Sequence, residues 1–330
     1  DAKWIVIIAS ISVCLACFSL WFFAVGFWST CLIWGVVGSG LAGTYMPGLQ
    51  VLNDRLNMTD RVKLTPWYTS SFGLSNGISF AVIGYLFANF SWKIACYTTS
   101  ISAALSAIII LFLTTSHNQK KDITERKFFD LRPAFKNKEA LGYIFSYGTH
   151  TYELFAYRAW IFTFLLWASL RTPNTISSEL ISLIIGIFMF IGMVSSLMGA
   201  KFCLDYGRKK VLMIIGFATF VFSVICAISI SLPIWIIIIL VGIYHAFIML
   251  DSGALTAGTV SVSDDNERGA ILAFHSIIGF AGGAIAGPII GFILDINGGT
   301  NNTSAWIFAF ISMGIGSLFV FLIQYRSLVT

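Results

Sequence analysis

The chain has 330 residues, 57% of them hydrophobic and 11% charged, and its mean hydropathy is +0.86. No soluble domain of this size has that composition, so the class is a polytopic helical membrane protein. The net charge of +5 does not imply a nucleic-acid partner, because nearly all the basic residues lie in alternate connections between apolar stretches.

Ten apolar periodic stretches cover residues 4–28, 31–52, 66–88, 93–114, 141–168, 179–201, 211–231, 233–258, 270–294 and 304–325. Each is long enough for a transmembrane helix, which needs about 20 residues. Strands are excluded, since an open sheet cannot satisfy its backbone in lipid and no period-two alternation is sustained. One set of connections and ends carries Lys3; Arg55, Arg61 and Lys63; Lys120, Lys121, Arg126, Lys127, Arg132, Lys136 and Lys138; Lys201, Arg208, Lys209 and Lys210; Arg268; and Arg326. The opposite set carries only Lys93 and Arg171. The bias places both ends of this chain in the cytoplasm of a plasma membrane, read as a bacterial inner membrane. Asp1 carries no initiator Met or signal pattern, and the expectation is that the chain begins inside a longer protein.

In chain order, the second stretch holds Gly38, Gly40, Gly43 and Pro47, and the third holds Gly73 and Gly77. Small residues at such spacings let helices approach closely in lipid, so packing or hinge roles are expected. The only long polar connection, 116–140, divides the chain into a partial half at 1–115 and a larger half at 141–330. A solvated loop is its plain reading, and its basic residues also suit anionic lipid. Cys14-x-x-Cys17 lacks a second ligand pair, so no metal is expected, and no other cofactor is.

The stretch after that connection is the most informative. Residues 141–168 carry His150, Glu153 and Arg158 inside an apolar run. A charge near the bilayer centre costs at least about 2.5–3.5 kcal/mol and needs a partner or a watery cavity. At 100° per residue, Tyr143, Tyr147, His150, Glu153 and Tyr157 fall on one stripe, with Arg158 at its edge. The stripe reads as cavity-lining. At about 1.5 Å per residue, Glu153 lies roughly 18 Å from Leu141, near the midplane, and His245 reaches a similar depth from the other side. Asp251 falls near the cytoplasmic boundary, where it would reach water or cap a helix. Glu153 and His150 are the candidates for taking up and releasing protons, and Arg158 for holding an anion. The competing reading is that these charges pair with neighbouring helices and only hold the bundle together.

A repeat is visible at an offset of 206 residues. Tyr68-x-Ser70-x-x-Gly73-x-x-x-Gly77 matches Phe274-x-Ser276-x-x-Gly279-x-x-x-Gly283, and Lys3 falls on Lys209. The first four spans thus correspond to the last four. The pair at 141–201 has no counterpart, and two further helices are expected before Asp1.

This layout resembles the major facilitator superfamily, whose members have two six-helix halves. Ala200-Lys201-Phe202-Cys203-Leu204-Asp205-Tyr206-Gly207-Arg208-Lys209-Lys210 is similar to the family's cytoplasmic gating-loop motif, with Gly207, Arg208 and Lys209 matching and Asp205 one place late. Gly38-x-Gly40-x-x-Gly43 resembles the family's fourth helix, with Trp34 where many relatives place an arginine. Gly283-x-x-x-Gly287-Pro288-x-x-Gly291 resembles the family's glycine-proline motif, although it lies in the eleventh helix. The resemblance implies a secondary transporter of a small organic solute, working by alternating access and as a monomer when full length. An anionic solute and proton coupling are the expectation. An integral-membrane enzyme acting on a lipid-linked substrate, or a transporter-like sensor, remains open as an alternative. No phosphate-binding loop of the Gly-x-x-x-x-Gly-Lys-Ser/Thr type occurs.

Overall fold

The computed structural model describes residues 1–56, 58–116, 130–172, 175–264 and 267–329. Most of the 116–140 connection, with Lys120, Lys121, Arg126 and Lys127, lies outside them. The elements are α1 (Ala2–Phe23), α2 (Phe27–Asn53), α3 (Met58–Asn89), α4 (Trp92–Leu113), α5 (Arg132–Lys136), α6 (Lys138–Leu170), α7 (Ser178–Tyr206), α8 (Arg208–Ile228), α9 (Ile234–Leu250), α10 (Ser252–Ser261), α11 (Arg268–Ile296) and α12 (Thr303–Val329).

Several helix ends follow from local chemistry. Side-chain oxygens of Asp1, Ser91, Asn137 and Ser177 accept from the first free N–H groups of α1, α4, α6 and α7. Gly207, at φ 90°, takes the left-handed turn that ends α7 and starts α8. Among the described residues, eight helical segments are long and apolar enough to cross a membrane, with α9 and α10 together forming one of them. The other two expected spans, α2 and α6, are long enough but more polar, because of glycine, serine and threonine in α2 and the polar stripe in α6. The interruption between α9 and α10 at Asp251, and the short α5, are features the periodicity does not show.

The chain divides into two units. The first comprises 1–75 and 81–125, the second 76–80 and 126–330. In the first, α1 packs on α2 and α4, and Tyr68 on α3 donates to the Tyr45 carbonyl of α2 at 2.7 Å. In the second, α8 packs on α9 and α12, the same pattern one offset of 206 residues later. At the centre of the second unit, α6 touches α7, α9, α10, α11 and α12. Its C-terminal half supplies Phe164 and Trp167 to an aromatic core with Trp306 and Phe310.

Polar contacts at the helix ends repeat as well. Asp1 pairs with Arg55 at 2.9 Å, joining the start of α1 to the end of α2. At nearly matching positions in the second unit, Arg208 donates to Ser261 at 2.6 Å and joins the start of α8 to the end of α10. Lys3 Nζ donates to the Leu111 and Thr114 carbonyls at the end of α4. Lys209 instead pairs with Glu139 of α6 at 2.8 Å, an exposed contact that contributes little.

Close helix approach explains most of the glycines singled out in the sequence. A Cβ on Gly40 would overlap Val13, and one on Gly43 would sit 2.7 Å from Ala9, so both let α1 lie against α2. Gly283 faces Phe155, and Gly287 has ordinary contact with Ala159 beside Pro288 within α11. Pro47 lies inside α2, Gly73 is half-buried on α3, and Gly77 is buried in the segment grouped with the second unit. Gly38 faces open space, so the packing role expected of it is not seen. The tightest approach between α6 and α11 is at Gly282, where a Cβ would overlap the Gly148 carbonyl of α6. Gly282→Ala is expected to destabilise the protein by about 1–3 kcal/mol through overpacking, whereas Gly38→Ala leaves stability unchanged or slightly raised. Thermal unfolding of the two variants in the same detergent measures the contrast.

Candidate functional site

The stripe on α6 is turned into the second unit. His150, Glu153, Tyr157, His245 and Asp251 are each at most 2% exposed. The cavity-lining reading of the sequence therefore gives way to enclosure by α9, α10, α11 and α12. A polar group buried this deeply needs a partner, and most of these find one on another helix.

His150 Nδ1 lies 2.7 Å from Asp251 Oδ1, at the interruption between α9 and α10. The expectation that Asp251 reaches water or caps a helix is corrected here. Its side chain is enclosed and makes no capping bond to α10, because at the helix interruption the carboxylate lies against the imidazole instead. One turn further along α6, Glu153 Oε1 accepts from the Tyr244 hydroxyl of α9 at 2.5 Å. Glu153 Oε2 accepts from the Ser317 hydroxyl of α12. His150 and Glu153 are thus neighbours on the helix, as the spacing predicts, but they hold separate partners.

Above Glu153, the Tyr157 hydroxyl donates to the Val241 carbonyl at 3.0 Å, and its ring stacks on His245 at 4.9 Å. His245 lies against Gly192 of α7, where a Cβ would come within 2.7 Å of its Nε2. Neither ring nitrogen of His245 has a hydrogen-bond partner among the described residues. Arg158 is half-buried, with its guanidinium carbon 5.8 Å from the centre of the Phe155 ring. One turn before His150, the Tyr147 ring lies 5.9 Å from that of His150 and 4.0 Å from that of His275 of α11, near parallel to both. The gating-loop residues lie apart, at the α7–α8 turn. Asp205 is exposed there, Gly207 makes the turn, and Arg208 and Lys209 bind α10 and α6.

Sequence reasoning missed Tyr244, Ser317 and His275. The first two are ordinary residues until a carboxylate meets them. His275 carried a usable signal, since any ionisable residue inside a membrane span is a functional candidate by default. Among the described residues, no cluster of three or more His, Cys, Asp or Glu is placed to hold a metal ion.

A family model described as Major Facilitator Superfamily matches residues 1–170 and 154–328. No curated protein matches the sequence. Among solved structures, the chain is similar to a mutant form of the nucleoside transporter NupG, with a TM-score of 0.76 and 14% identity over 99% of this chain and 83% of that one. A bacterial homolog of the human lysosomal transporter Spinster, inward-facing and unoccupied, gives 0.70 and 13% over 100% and 84%. A mutant form of the E. coli fucose:proton symporter FucP gives 0.60 and 12% over 98% and 83%. At such identities the likeness shows the fold.

The buried pair has a stability consequence. Asp251→Asn sets an amide in place of the carboxylate 2.7 Å from His150 Nδ1 and is expected to lower stability by about 1–3 kcal/mol. The double variant His150→Leu/Asp251→Leu should recover most of that loss, because two apolar residues leave no buried polar group without its partner. Chemical denaturation of the three proteins in mixed micelles compares them; equal losses in the single and double variants would contradict the pairing.

Proposed function

Because this chain belongs to the Major Facilitator Superfamily, a family of secondary transporters of small solutes, we propose that it couples solute movement to protons through Glu153 and the His150–Asp251 pair. The observation that carries the reading is Glu153, a fully enclosed carboxylate met by two hydroxyls from two different helices. As a carboxylate it accepts from Tyr244 and Ser317. On taking a proton it becomes a donor, and one hydroxyl must turn away or reverse its bond. Protonation at this one group therefore changes how α6 is bonded to α9 and α12. That is what alternating access requires of a coupling residue: two proton states that favour two helix arrangements.

The solute follows from what surrounds the acid and from the relatives. Among transporters of similar fold, one carries a nucleoside and another carries fucose together with protons, so a solute of sugar or nucleoside size fits the reading. Arg158 adds a fixed cation, which suits an anionic group on that solute. An enzyme acting on a lipid carrier would need its acids at a membrane surface. Glu153 and Asp251 are enclosed instead, which favours transport.

Glu153→Gln tests the coupling. Glutamine keeps the shape and most hydrogen bonds but cannot release a proton. Accumulation driven by a proton gradient should vanish, while exchange of solute across the membrane survives. If Glu153 only braces the bundle, folded yield and thermal stability drop instead; gradient-driven uptake at the normal level would sink the role. Arg158→Lys then reads the solute, since an anion held bidentately binds far more weakly to lysine, whereas a simple counter-charge tolerates the change.

The membrane orientation is part of the same reading, with both ends of this chain in the cytoplasm of a bacterial inner membrane. Reporter tags placed at Lys209 and near Asn301 should read cytoplasm and outside, respectively. A cytoplasmic signal at Asn301 overturns the charge-bias argument.

A further inference from the structure

We propose that His245 is the hydrogen-bonding contact for the solute in the second unit, and that it meets the solute where α9 parts from α7. His245 is fully enclosed, yet neither ring nitrogen has a hydrogen-bond partner among the described residues. A neutral imidazole carries one donor and one acceptor whichever nitrogen holds the hydrogen, so both needs go unanswered here. A polar group shut away from water without a partner costs stability. A phenyl or branched aliphatic group would fill the same space without that cost. The imidazole is therefore kept for something other than filling it.

The surroundings of the ring show which side opens. One face stacks on Tyr157 of α6 at 4.9 Å, with an interplanar angle of 22°. At the edge, Nε2 is turned to Gly192 of α7, where a Cβ would come within 2.7 Å. Gly192 lies inside α7, so its N–H and carbonyl are taken by the helix itself and offer the nitrogen nothing. The rest of the α7–α9 seam has the same character. Gly242 of α9 fits against the Phe188 ring, and Gly199 of α7 lies against the Leu250 carbonyl. The polar ties of α9 run instead to α6, from Tyr244 to Glu153 and from Tyr157 to the Val241 carbonyl. Among the described residues, no side-chain hydrogen bond joins α9 to α7, so van der Waals contact alone closes the seam that His245 faces.

The chemistry of the groups names the class of solute. An imidazole edge is matched by a hydroxyl or an amide, each of which gives and takes a hydrogen bond. Arg158, next to Tyr157 on α6, is near enough for its charge to act at His245, and it suits an anionic group on the same solute. The class is a hydroxyl-bearing organic anion, as a sugar acid or a nucleotide is. The ring neither gains nor loses a proton in this role. Tyr244 precedes His245 on α9 and donates to Glu153, so a movement of α9 that brings His245 to a solute also bears on the hydroxyl that answers the carboxylate. That link between solute and proton rests on the transport reading above.

Two measurements on the full-length protein test the site. The first needs no solute. His245→Phe keeps the stack on Tyr157 and removes both nitrogens, and should raise Tm in detergent by about 2–5 °C. An unchanged or lowered Tm means that the nitrogens are answered within the protein, and overturns the proposal. The second is thiol labelling of His245→Cys in membrane vesicles, in a cysteine-free background, with a charged reagent on both sides. Ile237 is the control, because it is buried seven residues before Tyr244 and so shares its α6-facing side. Labelling at position 245 should be roughly tenfold faster or more than at Ile237→Cys. Equal rates mean that α9 does not part from α7 there, and overturn the site. Glucuronate or uridine monophosphate in excess should slow the labelling roughly threefold or more, and which of the two does so identifies the solute as sugar acid or nucleotide. Equal protection by neutral fucose and uridine overturns the anionic class, and protection by none of the four overturns the solute contact. Failure of Glu153→Gln to affect accumulation would leave Tm and labelling untouched, so the two ideas fail separately.

Discussion

A charge in the interior of a membrane protein has to be answered, and that requirement organises the second unit. Glu153 is shut off from bulk solvent, and its partners come from α9, which brings Tyr244, and α12, which brings Ser317. His150 is enclosed too, and the α9–α10 interruption brings Asp251 to it. With Tyr147 and Thr151 bonded or stacked against α11, every helix that encloses α6 on this side is tied to it by a polar contact. Van der Waals packing in lipid is weakly directional. These few contacts supply the direction, because each polar atom has one place where its partner is.

How much of this was legible follows from sequence separation. The stripe on α6 could be read from a 100° rotation and the cost of charge in lipid, both local arguments. Its partners could not. Glu153 meets residues 91 and 164 positions away, and nothing local in Tyr244 or Ser317 marks them. Asp251 was expected to meet water or cap a helix because its helix was read as uninterrupted; at the interruption its carboxylate meets His150 instead. The Asp251-Ser252-Gly253 run carries a turn signature that could have flagged the break.

The internal repeat was legible for the same local reason, and its divergence is informative. At the offset of 206 residues, Tyr45 corresponds to Asp251, Pro47 to Gly253 and Tyr68 to Phe274. In the first unit, α2 runs unbroken through this place, and Tyr68 donates to the Tyr45 carbonyl. In the second, the same place is broken and carries an acid held by a histidine. The backbone plan is shared, and at this place among the described residues the second copy carries an acid where the first carries Tyr45.

Packing and chemistry look like rival explanations for the glycines, and the structure shows they are one constraint. A Cβ on Gly258 would meet the Tyr143 ring, one on Gly279 would overlap Tyr147, and one on Gly192 would press on His245. On α12, a Cβ at Gly316 would come within 2.9 Å of Glu153 Cβ, beside the serine that bonds its carboxylate. Bulky polar side chains point at their neighbours along this ladder, and the neighbour has no side chain at that point. Glycine is what allows a tyrosine, a histidine or a glutamate to reach across a helix interface without forcing the helices apart. Adding a methyl group at these positions would displace the polar residue as well as the helix. A substitution in the glycine series should therefore not be read as structural simply because it touches no ionisable residue in the sequence.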